Sequence, residues 1–312
     1  MMAQVFDPME FTVRPVSVPD ILPWRDLYRQ EMNCQIIHDS LHAREGWTQP
    51  YVIESAGDAC GYGSLAISGP WSGTRTIFEF YISENQRSRF FEAFEAFMVI
   101  SAADAIETQT NDVMLTAMLH TWAHDVVSEK IIFEDRLRTA FRVTGAILRP
   151  REPEGDWMLL EIGGEVAATG GILYHYNRPY GDIWMEVADP FRMRGFGTYL
   201  VQELKRICYE AGSVPCARCN TENVASRRTL QKAGFVPCAH LLTASSEAES
   251  QTRSYVHGSA SAAIPPKFQL LPLYFSVAIR SLSEFTQVRR EPVPGRPVEL
   301  SPALVPCAPE ET

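Results

Sequence analysis

The stretch DPFRMRGFGTYLVQELKRIC at residues 189–208 places arginines and glycines where a helix is predicted to begin. The first amide N–H groups of a helix have no partner inside the helix, and they carry the positive end of its dipole. Gly195 and Gly197 remove the side chains that would hold a ligand away from this backbone. Arg192 and Arg194 can add charged hydrogen bonds. These residue types in this order suit the binding of a phosphate or pyrophosphate group.

The positive charge of this segment is local. The whole chain of 312 residues has a formal net charge of −10, which disfavours nucleic acid and anionic membranes as partners. Residues 191–228 nevertheless contain seven lysines and arginines against three glutamates. We weigh two interpretations of this excess: a pocket for a polyanionic ligand, and ordinary solvated helix faces.

Strand and helix patterns surround the loop on both sides. The predicted elements of this half are a hairpin over 156–162 and 165–176, a strand over 182–188, a helix over 195–211, a strand over 215–220 and a helix over 224–233. Asn223 is predicted to cap the last helix, and Gly234 is predicted to end it. The phosphate-binding loop therefore lies between a strand and a helix.

The preceding half of the chain shows a similar order. Its predicted elements are a strand over 10–16, a helical stretch over about 20–42, strands over 51–55, 59–68 and 74–83, a helical segment over 87–107, a buried strand over 113–119 and a short helix over 123–131. The segment SEKIIFED at 128–135 then stands where LQKAGFVP stands at 230–237. This repeated order predicts a tandem duplication in which the second copy lacks an opening strand and opening helices.

Two linked motifs carry a resemblance to a known family. Arg192-x-x-Gly195-x-Gly197 resembles the acetyl-CoA loop of the GNAT superfamily of N-acetyltransferases, and the segment from Asn223 to Gly234-Phe235 resembles that family's N-x-x-A…K-x-G-F pattern. The resemblance implies an α/β (α+β) GNAT fold in two tandem units, each a mixed, mostly antiparallel sheet flanked by helices. We expect three regions: a degenerate GNAT-like domain without an acetyl-CoA loop (1–135), a catalytic GNAT domain (136–245) and a Pro/Ser-rich, partly disordered extension (246–312).

The resemblance also implies which residues bind acetyl-CoA. Backbone groups near Val187 and Ala188 would pair with the pantetheine arm, and the amides of residues 193–198 would hold the pyrophosphate. Asn223 and Ser226 would line the path of the co-substrate, although Asn223 also suits a plain helix cap. The full expected set is Val187, Ala188, Arg192, Met193, Arg194, Gly195, Phe196, Gly197, Thr198, Asn223 and Ser226.

The first copy is predicted to have lost this loop. When Ile82 is placed on Val187, the loop positions become Arg87, Phe90 and Glu92, so both glycines are absent and a carboxylate would face a pyrophosphate. In the same alignment Thr121 replaces Asn223 and Ile132 replaces Gly234. We therefore expect one acetyl-CoA site, in the second half.

The candidate general bases lie in the polar and aromatic segment 174–186. We rank Glu186 first, His175 second and Asp182 third, because a carboxylate or imidazole near the thioester can accept the proton of the attacking amine. Glu186 has the wrong parity for the catalytic position of some relatives, and only a β-bulge in its strand would correct this.

The sequence also does not identify the general acid that would protonate the leaving thiolate. The helix position at which the family usually has a tyrosine is Leu230. Tyr174, Tyr176 and Tyr180 are possible replacements, among which the sequence does not choose.

The function implied by the resemblance is transfer of an acetyl group from acetyl-CoA to a primary amine by direct attack. We expect a small acceptor, such as an amino acid, a polyamine or an amino sugar, with protein amines as further options. Two alternatives stay open: a non-catalytic acyl-CoA-binding sensor or scaffold, and transfer of another acyl group on the same fold. We expect a monomer or a homodimer that binds neither nucleic acid nor membrane.

Two other motifs indicate no further site. Gly61-x-Gly63-x-x-Ala66 spells a dinucleotide-binding pattern but is followed by strand-like residues and not by a helix. Cys216 and Cys219 lie three apart in a predicted strand, so their sulfurs would point to opposite faces, and no metal site is expected. Seven unclustered cysteines, and an N-terminus without a signal-peptide pattern, indicate a cytoplasmic protein.

Overall fold

The chain folds around a mixed, mostly antiparallel sheet. The structure, a computed structural model, describes residues 11–35, 39–152, 157–174 and 176–246. The elements of the first half are β1 (Phe11–Pro15), α1 (Val18–Met32), α2 (Asp39–His42), β2 (Thr48–Ser55), β3 (Asp58–Ala66), β4 (Thr76–Ile82), α3 (Phe90–Ser101), β5 (Ala105–Gln109), α4 (Val113–Trp122) and β6 (Ala123–Asp135). Those of the second half are β7 (Ala146–Pro150), β8 (Trp157–Ile162), β9 (Glu165–Leu173), β10 (Tyr180–Val187), α5 (Phe196–Glu210), β11 (Val214–Asn220), α6 (Val224–Lys232) and β12 (Phe235–Ser246).

The two halves exchange their last strands. The twelve strands have the order β1-β2-β3-β4-β5-β12-β6-β11-β10-β9-β8-β7. β6, which ends the first half, pairs with β11 of the second half, and β12, which ends the second half, pairs with β5 of the first. β6 and β12 also pair with each other, antiparallel, at the centre of the sheet. Each half therefore borrows a strand from the other, and one sheet results.

Helices cover the two faces of the sheet unequally. α3 and α4 bury apolar residues against one face of the first half, and α5 and α6 do so in the second half. α1 and α2 pack on the opposite face of the first half through Ile21 and Leu41. Among the described residues the second half shows no counterpart of α1, and only residues 151–156 separate β7 from β8, far fewer than this fifteen-residue helix contains. The face of β10, β11 and β6 that points away from α5 is called the distal face below.

Two predicted elements of the first half were wrong. Residues 113–119, predicted as a strand, form the helix α4, and residues 123–131, predicted as a helix, lie in the strand β6. The Asp112 side chain accepts a hydrogen bond from Leu115 N and starts the helix, and burial at Leu115, Met118 and Leu119 follows helical spacing. An apolar run without alternation cannot by itself distinguish a buried strand from a helix.

This correction changes the alignment of the two halves. Asp112 caps α4 as Asn223 caps α6, so the structural counterpart of Asn223 is Asp112 and not Thr121. The second half also has an opening strand after all, since β7 takes the edge position that β1 takes in the first half. The prediction that the second half lacks opening helices agrees with the short connection between β7 and β8.

The strand exchange bears on the predicted domains. The boundary expected after residue 135 coincides with the end of β6, although β6 is hydrogen-bonded to the following half. All described residues belong to one compact unit that spans Met1–Gln251. The predicted boundaries stay predictions, and the extension predicted over 246–312 lies outside the described residues, apart from Ser246 in β12.

A buried lysine fastens α5 to the borrowed strand. Lys205 Nζ lies 2.5 Å from Asp135 Oδ1 at the end of β6, and both side chains are almost fully buried. The same ammonium donates hydrogen bonds to the carbonyls of Leu137, at 2.7 Å, and Ala233, at 2.6 Å. Tyr209 donates a further hydrogen bond to Asp135. The ends of β6 and α6 are thus held to one side chain of α5.

We predict that Lys205→Met destabilises the protein strongly. Removing one partner leaves the other charge buried and uncompensated, which typically costs about 3–5 kcal/mol. Urea denaturation followed by circular dichroism measures the change, and Lys232→Met, which alters an exposed lysine at the end of α6, is the control. A loss below about 1 kcal/mol for Lys205→Met would show that the pair contributes little.

Candidate active site

Two parallel strands separate in the second half. β10 and β11 pair only from Tyr180–Val214 to Ile183–Ala217. Beyond this point β10 continues to Val187 and β11 to Asn220. The backbone of residues 184–187 therefore has no strand partner on the β11 side within the described part of the chain. Such an opening can accept an extended ligand that pairs with strand backbone.

Each of the diverging strands leads to the start of a helix. Gly195, with φ of 88°, is the N-cap of α5, and Tyr199 N is the first amide to bond back into the helix, at 3.1 Å from the Gly195 carbonyl. The amides of residues 196–198 precede that bond and have no partner within the helix. α6 begins at Val224, shortly after β11 ends. Two helix N-termini therefore lie beyond the C-terminal ends of the separated strands, where anions bind favourably.

The two glycines of the loop do different things. A Cβ on Gly197 would lie 3.1 Å from Val187 Cγ2 and 3.3 Å from Thr229 Cγ2, so this glycine lets α5 pack closely on β10 and α6. A Cβ on Gly195 would meet only Phe141, at 3.5 Å, and here the positive φ is what favours glycine. Gly195 thus shapes the turn, and Gly197 sets the depth at which the helix lies.

The arginines of the loop have contacts of their own. Arg192 Nε donates to the Val187 carbonyl at 3.2 Å, and its Nη2 lies 2.6 Å from Asp189 Oδ1. The Arg194 guanidinium lies 4.9 Å from the ring centroid of Phe196, the first residue of α5. Both positive charges thus stay beside the strand end and the helix start.

Other residues of the expected acetyl-CoA set differ in exposure. Met193 has a φ of 61° and a fully exposed side chain, whereas Phe196 and Thr198 are buried. The amide of Ala188 donates to the Ala167 carbonyl of β9, at 3.0 Å, so this donor is directed to β9 and not to the opening.

The structure bears out the cap predicted at the start of α6. Asn223 Oδ1 accepts a hydrogen bond from Ser226 N at 2.9 Å. Leu230, at the position where the family usually has a tyrosine, is buried in the core beneath α5 and α6. Leu230 therefore packs in the core and cannot serve as a general acid.

The three candidate bases have different surroundings. β9 and β10 pair without a break from Leu173–Asp182 to Ala168–Val187, so the bulge that would have turned Glu186 toward α5 is absent. Glu186 is exposed on the distal face. Asp182 lies on the same face and is only 4% exposed. His175 lies outside the described residues.

Asp182 is a buried carboxylate at the point where the strands separate. It is one residue before Ile183, the last paired position of β10. Tyr176 donates a hydrogen bond to its Oδ2 at 2.8 Å, and Arg218 Nε lies 3.7 Å from the same atom. Its other oxygen, Oδ1, is buried and has no hydrogen-bond partner among the described residues. Burial raises the pKa of Asp182, although Arg218, the Tyr176 hydroxyl and Lys130 act in the opposite direction.

The candidate tyrosines are also separated by the structure. Tyr174 is half exposed, Tyr176 is bound to Asp182, and Tyr180 donates a hydrogen bond to the Asn33 carbonyl at 3.3 Å. Of the three, Tyr176 alone has a hydroxyl bonded to the buried carboxylate. The residues around Asp182 come from distant segments, and sequence spacing gave no sign of Arg218 or Lys130 beside it.

In the first half the face beneath α1 and α2 is filled by an ion pair. Arg25 donates two hydrogen bonds to Glu79, at 2.6 and 2.9 Å, and His42 Nε2 lies 3.0 Å from Glu79 Oε2. Burial would raise the pKa of Glu79, but the charges of Arg25 and His42 outweigh it and lower that pKa well below its usual range.

The start of α3, the helix that follows β4, differs from the start of α5. α3 begins with Phe90, whose ring packs on Phe80, and no glycine lies between β4 and this residue.

Other kinds of site are not indicated by the residues that the structure describes. None of their helices is long and apolar enough to cross a membrane. No group of three or more His, Cys, Asp or Glu side chains among them is placed to hold a metal ion. Cys216 and Cys219 belong to apolar clusters on opposite sides of the sheet. A Cβ on Gly61 would overlap the Tyr81 carbonyl, which explains that glycine by strand packing.

Comparison with known proteins identifies the fold. Residues 119–235 match the sequence model described as "Acetyltransferase (GNAT) family". An acetyltransferase of the GNAT family from Colwellia psychrerythraea is 12% identical, with a TM-score of 0.59 over 75% of this chain and 99% of that one. A GCN5-related N-acetyltransferase from Sphaerobacter thermophilus is 14% identical, with a TM-score of 0.51 over 77% of this chain and 96% of that one.

A third solved structure is a tandem protein. It is described as a tandem GNAT protein from the clavulanic acid biosynthesis pathway, is 11% identical and has a TM-score of 0.51 over 78% of this chain and all of that one. No curated protein matches the sequence. At these identities the likeness concerns the fold: the chain has a GNAT-type fold, and its segment 119–235 matches an acetyltransferase family.

Proposed function

We propose that the protein transfers an acetyl group from acetyl-CoA to the primary amine of a small acceptor by direct attack. The observation that carries this proposal is the opening between β10 and β11, which has a glycine-started helix at one end and the buried carboxylate of Asp182 at the other. The match of residues 119–235 to an acetyltransferase family supports it.

The binding half of the reaction rests on backbone groups. The unpaired edge of β10 over residues 184–187 offers strand hydrogen bonds to the pantetheine arm, and the amides of residues 193–198 offer donors to the pyrophosphate. Arg194 adds positive charge at the start of α5. The start of α3 in the first half carries Phe90, Phe91 and Glu92 in place of the glycine turn, so we propose one binding site in each chain.

The chemical half of the reaction requires a base at the separation point. Asp182 accepts a proton from the amine as the amine nitrogen attacks the thioester carbon, and the C–S bond then breaks. CoA leaves as a thiolate and takes up a proton, so that one amide and one thiol are formed. Burial favours the neutral form of Asp182 and makes its carboxylate a stronger base than an exposed one.

Asp182 suits this role better than Glu186 does, although the sequence alone ranks them in the opposite order. Its Oδ1 atom is buried, has no hydrogen-bond partner in the described part of the chain, and can therefore receive the amine proton. Its Oδ2 atom is held by the Tyr176 hydroxyl. Glu186 lies toward the open end of the strand and is exposed, so water would stabilise its charge and weaken it as a base.

The first experiment separates an enzyme from a non-catalytic sensor. We expect calorimetry to find one CoA site per chain, and acetyl-CoA with a mixed panel of amino acids, polyamines and amino sugars to release free thiol. CoA binding without thiol release on any amine would favour the sensor or scaffold. Thiol release with propionyl-CoA or a longer acyl-CoA, but not with acetyl-CoA, would favour transfer of another acyl group.

A further inference from the structure

Two cations lie beside Asp182 on the distal face. Asp182 is paired with Cys216 of β11, and Arg218 follows two residues later on the same face. Arg218 is in turn paired with Ile132 of β6, and Lys130 lies two residues from it, again on that face. Diagonal neighbours of this kind have Cα atoms about 7–8 Å apart, within reach of long side chains. The carboxylate and the two cations therefore form a row across three adjacent strands.

The cations of this row have few partners. Arg218 lies over the Tyr176 ring and is 3.7 Å from Asp182 Oδ2, which is beyond hydrogen-bond length, and it makes no hydrogen bond among the described residues. Its side chain is 25% exposed. The Lys130 side chain makes neither a hydrogen bond nor an ion pair within the same residues. Because Arg218 has only this long ion pair with Asp182 and Lys130 has none in the described part of the chain, the two partly buried positive charges favour a bound anion.

The acidic groups near Lys130 do not neutralise it by contact. Glu129 is exposed, and its Oε1 lies 3.5 Å from the Thr243 hydroxyl. Glu107 is on β5, separated from β6 by β12, and accepts a hydrogen bond from Trp71 Nε1 at 3.0 Å. Burial and the charge of Arg218 lower the pKa of Lys130, and Glu129, Glu107 and Asp182 only partly oppose this. An anion between Lys130 and Arg218 would remove their mutual repulsion.

An aromatic wall adjoins the row. Trp184 follows Asp182 on the same face of β10, and its ring centroid is 4.7 Å from that of Trp157 in an edge-to-face arrangement. Gly171 of β9 is paired with both tryptophans, so the two indoles flank one glycine across three strands. This surface offers apolar contact beside the carboxylate.

We infer that the acceptor is an amino acid, whose carboxylate is held by Arg218 and Lys130 while its amine meets Asp182. This inference rests on the proposed function and names its substrate class. The short distance between Asp182 Oδ2 and Arg218 Nε lets one small molecule reach both groups. A polyamine would bring further positive charge to two cations, and an amino sugar without a carboxylate would offer them no anion. The side chain of the amino acid lies along Trp184.

The test compares acceptors that differ only in the carboxylate. The probes are L-alanine and L-phenylalanine, their carboxamides, and phenethylamine, which bracket the basicity of the amine. We expect kcat/KM for the better amino acid to exceed that of its carboxamide, and that of phenethylamine, by about 100-fold or more, because two charged hydrogen bonds are lost. Equal use of amino acid and carboxamide by the wild-type enzyme would overturn the inference and leave the proposed function standing.

Two double variants test whether the preference for the carboxylate depends on Arg218 and Lys130. Arg218→Gln with Lys130→Gln should abolish the preference for the carboxylate, whereas Arg206→Gln with Lys232→Gln removes the same charge from exposed helix positions and should retain it. CoA affinity, measured for each variant by calorimetry, shows that the fold is intact. Arg218→Lys is a milder second variant. If Arg218→Gln with Lys130→Gln kept the full preference for the carboxylate over the carboxamide, the inference would also be overturned.

A binding measurement without chemistry separates this inference from the proposed function. Calorimetric titration of each amino acid into the CoA complex needs no turnover. Binding that depends on Arg218 and Lys130, without thiol release, would support the anion site and contradict the enzyme. If none of the amino acids bound to the CoA complex and none was acetylated, the inference would be overturned.

Discussion

Asp182→Asn is expected to lower kcat about 100- to 10,000-fold while the affinity for acetyl-CoA stays unchanged. The asparagine keeps the shape of the side chain and an oxygen that can accept the Tyr176 hydrogen bond, but it cannot accept a proton. Steady-state kinetics with a free-thiol readout, together with calorimetry for CoA, measure the two quantities.

The pH dependence gives a second readout of the same substitution. The base form of Asp182 increases as the pH rises through its pKa, so kcat should rise with pH on the acid side of the profile. Burial raises this pKa, which moves the rise to higher pH than an ordinary aspartate would give. The rise should disappear in Asp182→Asn.

Glu186→Gln is the matched comparison, because it removes a carboxylate from the same face of the same strand. We expect its kcat to change by less than about fivefold, since an exposed group away from the reacting atoms contributes little. The opposite result, a large loss for Glu186→Gln with a normal rate for Asp182→Asn, would restore the order of candidates given by the sequence.

Gly195→Glu is expected to reduce the affinity for CoA about 100-fold or more. The new carboxylate would stand at the start of α5, where it would repel the pyrophosphate and occupy the unpaired amides. Loss of two charged hydrogen bonds of about 1.5–3 kcal/mol each accounts for an effect of this size. Calorimetric titration with CoA measures the change.

The control for this variant lies at the other end of the same helix. Gly212 also has a positive φ, of 72°, and a Cβ there would have nothing within 4 Å. Gly212→Glu therefore adds the same backbone strain and the same charge without approaching the loop. If both variants bound CoA normally, the pyrophosphate would not lie at Gly195.

The sequence was most informative where signals are local. The glycine turn before α5, the Asn223 cap of α6 and the hairpin of β8 and β9 depend on residues close together in the chain, and the structure places each as predicted. The secondary-structure prediction for residues 113–131 was wrong because the apolar residues there fit either a strand or a helix. Asp112, a capping residue directly before that run, was the signal that could have corrected it.

The surroundings of the candidate base could not be predicted in the same way. Lys130, Tyr176, Asp182 and Arg218 come from different elements, and only the strand order brings them to one face. The parity of a strand shows which residues share a face, but it does not show which face is buried or what lies across it. For this reason Asp182 and Glu186, which have the same parity, could not be ranked by burial from the sequence.

The exchanged strands also give the first half a structural part in the candidate site of the second half. β6 is made from the first half, yet it is hydrogen-bonded to β11 and carries Lys130 to the face where Asp182 lies. Loss of the first half would remove this strand from beside the candidate site and expose the edge of β11. One wall of the candidate site thus comes from a strand whose sequence belongs to the other half of the chain.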